Sequence, residues 1–118
     1  FSTEAEVEVV SFKCEPSSID LGKHIELAAE LSSTSTVEQR LVIDFVIHHV
    51  NASGATSPKV FKWTTLTLAP NETVRILKRR LIQTASTRRY HAGTHRVDLK
   101  ISGKELASTQ FLLTESSI

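Results

Sequence analysis

His24-Ile25-Glu26-Leu27-Ala28-Ala29-Glu30-Leu31 alternates with a period of two, which puts Ile25, Leu27, Ala29 and Leu31 on one face. Thr94-His95-Arg96-Val97-Asp98-Leu99-Lys100-Ile101 repeats the pattern, with Val97, Leu99 and Ile101 inward. A helix would spread these side chains around its axis; a strand with one buried face gathers them, as in an antiparallel sheet. Residues 41–50 differ, being apolar on both faces and broken only by Asp44, His48 and His49. Their β-branched content suits a central strand. Further strands are expected over 7–14, 59–68, 73–81 and 106–114, about seven in all.

The punctuation between these runs agrees. Pro16-Ser17-Ser18, Ser32-Ser33-Thr34-Ser35, Asn51-Ala52-Ser53-Gly54, Ala69-Pro70-Asn71-Glu72 and Ala92-Gly93 separate them. Ser102-Gly103 reads as a hairpin turn pairing 97–101 with 106–111. Val9-Val10 and Val60-Phe61 each place two apolar neighbours in sequence, which bulges would accommodate. No stretch of ten residues holds a helical period. The fold expected is all-β, an immunoglobulin-like antiparallel β-sandwich. With one cysteine, Cys14, it has no intrachain disulfide.

At 118 residues and 40% apolar content, the chain is expected to be a single domain over 1–118. It begins at Phe1 and contains no Met, so an excised or processed module of a longer protein is expected. No apolar run is long enough for a membrane-spanning helix. The lone cysteine fits a reducing compartment, and a cytoplasmic location is expected. Charge is unevenly placed. Residues 1–44 hold nine acidic and three basic side chains, whereas residues 75–104 hold nine basic ones against Asp98 alone. Such asymmetry points to a nucleic acid or an acidic partner.

The basic residues carry the functional reading. Lys78-Arg79-Arg80 is a dense triplet, and Arg88-Arg89-Tyr90 sets two guanidiniums beside an aromatic ring. Guanidinium forks match phosphate, and Tyr90 can stack on a base or sugar. Arg96 and Lys100 share the outward face of their strand, and Lys59 and Lys62 extend the set. With no helix to enter a major groove, phosphate contact is expected in place of base readout. On the strand over 41–50, inward Leu41, Ile43, Phe45 and Ile47 leave Val42, Val46 and Val50 outward. So apolar an outer face suggests cover by another domain or subunit.

Catalytic patterns are lacking in the sequence. His48 and His49 point to opposite faces of a strand, and no Cys/His spacing suits zinc, so no metal or other cofactor is expected. Cys14 lies between Lys13 and Glu15 with no evident activating base, which fits a buried, inert thiol. No nucleophile elbow, phosphate loop or separable acid pair is found. The Glu4-Glu6-Glu8 ladder fits a solvated edge. Asn51-Ala52-Ser53 and Asn71-Glu72-Thr73 match the N-glycosylation pattern, which matters only in a secreted eukaryotic protein. No small-molecule substrate is evident, and the chain is expected not to be an enzyme.

Gln39-Arg40-Leu41-Val42-Ile43-Asp44-Phe45-Val46-Ile47-His48-His49-Val50, with Gly54 and Ser57-Pro58-Lys59-Val60-Phe61-Lys62, resembles the C-terminal β-sandwich module of some bacterial DNA alkylation repair proteins. Those proteins have a main domain of HEAT-like helical repeats. Leu68-Ala69-Pro70-Asn71-Glu72, Thr87-Arg88-Arg89-Tyr90-His91-Ala92-Gly93-Thr94-His95, and the Ser102-Gly103 hairpin with Phe111 fit the same family, so the resemblance covers about 7–114. In that family the lesion chemistry belongs to the helical repeats. The resemblance therefore implies an accessory domain, transfers no catalytic residue, and names the partner as the parent's helical-repeat domain, with DNA as a second partner. The alternatives are an immunoglobulin-like structural or adhesive module of a larger extracellular protein, or a protein-interaction domain without a DNA role.

Overall fold

In a computed structural model, which describes residues 5–82 and 91–114, the alternating segments become strands of two packed sheets. In chain order they are β1 (Val7–Glu15), β2 (Ser18–Asp20), β3 (His24–Ser33), β4 (Gln39–Val50), β5 (Thr56–Leu68), β6 (Thr73–Leu81), β7 (Gly93–Ile101) and β8 (Lys104–Thr114). One sheet has the order β1-β3-β6 and the other β2-β8-β7-β4-β5. All pairings are antiparallel except β2 with β8. This is the expected all-β immunoglobulin-like sandwich, with one strand more than the seven foreseen. The extra strand is β2, where Pro16-Ser17-Ser18 reads as a turn. It is three residues long and only Ile19 points inward, too short a run to show a period.

The core lies between the sheets. Ile25, Leu27, Ala29 and Leu31 of β3 face Leu41, Ile43, Phe45 and Ile47 of β4 and Val97, Leu99 and Ile101 of β7, all essentially solvent-free. Burying each such Leu, Ile or Phe contributes about 1.5–3 kcal/mol. Phe45 stacks on Phe61 at 5.2 Å and meets the edge of Trp63 at 6.0 Å. Cys14 is buried and free, and burial, aided by the Glu15 charge, pushes its thiol up to about 11. It is an inert core side chain.

Bulges appear, partly where the sequence suggested. In β1 the register skips Val10, which turns outward, while Val9 and Phe12 pack inward. In β5 the skipped residue is Trp63, not the Val60-Phe61 pair. Val60 simply faces out and Phe61 in; the bulge at Trp63 adds its indole to the core. The β7–β8 hairpin turns at Ser102-Gly103, with φ of 50° and 87°, the two positive values that a two-residue hairpin turn of this twist requires.

Candidate nucleic-acid interface

The structure distributes the sequence-predicted cations over three strands and both sheets. Arg96 and Lys100 lie on the outer face of β7, in the middle of the five-stranded sheet. Arg96 is already engaged: its Nε donates to Asp98 Oδ1 at 2.7 Å and its Nη2 to Glu105 Oε1 at 3.1 Å. His48 Nε2 donates to the other Asp98 oxygen at 2.7 Å. Burial alone would push the Asp98 carboxyl up, but hydrogen bonds from His48 and Arg96 and the Arg96 charge hold it below its ordinary value. Lys100 stands in register with Asp44 on one side and Glu105 on the other. Lys62 of β5 also faces Asp44.

The triplet on β6 splits by strand alternation. Arg79 points to the outer face of the three-stranded sheet opposite Glu26, as Arg75 does opposite Glu30. Lys78 and Arg80 follow Val74 and Ile76 on the side that faces the other sheet. There the Arg80 guanidinium carbon lies 4.0 Å from the centre of the Phe61 ring. This cation–π contact, worth about 0.5–2 kcal/mol, bridges β6 to β5 and shows that these two edge strands adjoin. Arg80 Nε has no hydrogen-bond acceptor among the described residues.

One edge of the sandwich therefore differs from both outer faces. Across the strand ladders, Lys59 faces Ile47, Lys78 faces Leu27 and Arg80 faces Ile25. None of the three has a carboxylate opposite it, and all three sit along the joined β5–β6 edge; Lys62, also on β5, points instead to the outer face opposite Asp44. Arg88, Arg89 and Tyr90 lie outside the described residues. Among the described residues no group of His, Cys, Asp and Glu is arranged to hold a metal ion, and no helix is long and apolar enough to cross a membrane. A cleft of about 430 Å³ opens at Glu15, Pro16, His24, Ile25, Glu26 and Arg79, on the other sheet.

The edge belongs to a fold seen elsewhere. Residues 8–115 match the family described as "Uncharacterised protein YhaZ, C-terminal Ig-like domain". The chain belongs to this family. YhaZ of Bacillus subtilis (strain 168), described as uncharacterized, is 27% identical over 105 residues, which is 89% of this chain and 29% of that protein. Among solved structures, the Pseudomonas fluorescens alkylpurine DNA glycosylase AlkC, bound to DNA containing an abasic site analog, superposes with a TM-score of 0.90. It is 33% identical over 92% of this chain and 30% of its own. A β-glucosidase of Erythrobacter marinus superposes with a TM-score of 0.77 at 15% identity, covering 93% of this chain and 16% of its own, a likeness of fold alone. This chain thus spans under a third of the relatives it matches. The resemblance to the C-terminal module of alkylation repair proteins is borne out.

The Ig-like frame also explains the three outward valines. Val42 is 37% exposed, but Val46 is only 4% exposed although it faces out. It sits in register between Val60 of β5 and Asp98 of β7, within the layer that the His48–Asp98–Arg96 network forms. A Cβ at Gly93 would meet Val50 at 3.4 Å, so Val50 lies against the start of β7. The expectation of three open valines is corrected to one, because neighbours on the same sheet occupy the other two.

Sequence reasoning missed two features. The Asp98 network joins residues 50 positions apart, and alternation alone marks Asp98 as outward, not as buried beneath its partners. His95 is fully buried and stacks on Phe111 at 5.1 Å. Its Nδ1–H donates to Gly93 O at 3.1 Å, leaving Nε2 to accept Val50 N–H at 3.4 Å. Burial holds its pKa below the ordinary value, against the pull of the Gly93 carbonyl. Its place in the alternation of β7 was the available signal.

Proposed function

We propose that this Ig-like domain is a non-catalytic accessory module of a cytoplasmic DNA alkylation repair protein, holding DNA phosphates along its β5–β6 edge and docking on the helical repeats of its parent. The observation that carries the reading is the set of Lys59, Lys78 and Arg80 without carboxylates opposite. It occurs in a fold 33% identical to part of a glycosylase solved on DNA. The fit is to backbone, not bases. Cations along a strand edge reach phosphates whatever the sequence, and a sandwich edge has no helix to place in a major groove.

Fluorescence anisotropy with a short duplex across a salt series tests this. Wild type is expected to weaken steeply with salt. Lys59→Ala and Lys78→Ala together should lower affinity for all sequences alike and cut the slope of log K against log salt by roughly 2. Arg75→Ala with Arg79→Ala, on the outer face of the other sheet, should change little. A double variant that binds like wild type, or no binding at low salt, overturns the phosphate-holding role.

A further inference from the structure

The pole of the sandwich where β1 begins is held by an unusual set of hydrogen bonds. Glu6, just before β1, is bracketed by the Gln39 side chain: Oε1 accepts Glu6 N–H at 3.1 Å and Nε2 donates to Glu6 O at 2.8 Å. Gln39 Nε2 also donates to Ser33 Oγ at 2.9 Å, and that oxygen accepts Ser35 N–H at 3.2 Å. Thr34 N–H adds a second bond to Glu6 O at 2.8 Å. Ser33 and Ser35 are both buried. The side-chain amide thus acts as a strand neighbour for one residue. Fixing a backbone residue costs conformational entropy, which these bonds offset. The consequence is a chain direction at Glu6 set by the fold.

Beside this clamp is the most exposed large apolar side chain among the described residues, Val37, at 64%. Its N–H is held by Ser35 Oγ at 3.1 Å, so it projects from an ordered loop. Val42, the one outward β4 valine that stays open, is at the same pole, where Ser102 N–H donates to Val42 O at 2.7 Å. The β7–β8 turn completes the surface. Val60, also exposed, lies toward the other end of β5.

We propose that this pole, centred on Val37 and Val42, is where the domain seats against the helical-repeat region of its own parent chain, entering at Glu6. This rests on the docking reading above and assigns it a place. The family is described as a C-terminal domain, and this chain spans under a third of the relatives it matches, so the occupant is assigned to the same chain. A small apolar patch is enough in that setting. A tethered partner is present at an effective concentration around the millimolar range, whereas a separate protein would need on the order of 1,000 Å² of contact.

Hydrogen exchange on the full-length parent protein tests the assignment, comparing wild type with Val37→Asp and with Val60→Asp. Val37→Asp should speed exchange over residues 34–42 by about tenfold or more while the cores of β3 and β7 stay protected, which shows the domain still folded. Val60→Asp should leave that region unchanged. If Val60→Asp alone loosens the contact, the pole is the wrong face although the domain docks. If neither variant changes exchange, both the pole and the docking reading are overturned.

Discussion

Arg96 and Arg80 both sit on strands of one small sandwich, and they have opposite fates. On the outer face of the five-stranded sheet, Arg96 is bound to Asp98 and Glu105, and Lys100 and Lys62 flank Asp44. Along the β5–β6 edge, Lys59, Lys78 and Arg80 look across at Ile47, Leu27 and Ile25. Residue type and exposure do not separate the two regions; strand register does. A cation opposite a carboxylate stabilises the fold or is neutralised locally, and a cation opposite an apolar residue keeps its field for a ligand.

The sharpest way to break this comparison is to remove the acid at the centre of the engaged region. Asp98→Ala leaves His48 and Arg96 without their shared acceptor and opens the layer over Val46. It should cost about 2–3 kcal/mol, read as a shift in the urea midpoint at unchanged m-value. DNA affinity should hold or rise slightly as a negative charge is lost. A change below about 0.5 kcal/mol would mean that the network is a surface arrangement with no structural weight.

The frame of the molecule was legible in the sequence because alternation is a local property. His24-Ile25-Glu26-Leu27 and Val97-Asp98-Leu99-Lys100 need no tertiary knowledge to be read as half-buried strands, and Ser102-Gly103 needs only its turn chemistry. The short β2 was not legible, since its existence depends on β8 being alongside. Nor was the site. Lys78-Arg79-Arg80 reads as one basic block, yet alternation sends Arg79 to one side and its neighbours to the other. Whether a lysine meets Asp44 or Ile47 depends on a register that includes the Trp63 bulge, and that bulge belongs to core packing. The outward direction of Val42, Val46 and Val50 is a property of their own strand, but cover by neighbouring strands cannot be read from it.

Acid acts on the two structural groups buried in β7, His95 and Asp98. His95 is buried neutral, so its folded pKa lies below its unfolded value of about 6.5. Below that pH the unfolded chain takes up a proton that the folded chain resists, so stability falls as pH drops toward the folded pKa. Asp98 acts lower down. Its folded pKa is depressed, and its contribution is complete above about pH 4 and lost below. Denaturation curves between pH 7.5 and 5 should show a stability decline in wild type that His95→Gln flattens. An equal decline in both proteins would assign it to other groups.

The finest test lies within the edge itself, where Arg80 has two roles and Lys59 one. Lys59→Ala should leave stability within about 0.5 kcal/mol, because its side chain is exposed and faces no acid. Arg80→Lys keeps the charge but loses the flat guanidinium above Phe61, so it should lose about 0.5–1 kcal/mol while DNA affinity changes little. Arg80→Ala should lose both. A double-mutant cycle with Phe61→Leu isolates the stacking energy from the charge. If Arg80→Lys weakens DNA binding as much as Arg80→Ala does, then the geometry of the fork matters to the ligand as well as its charge. The edge would then recognise phosphate by paired N–H groups and not by field alone.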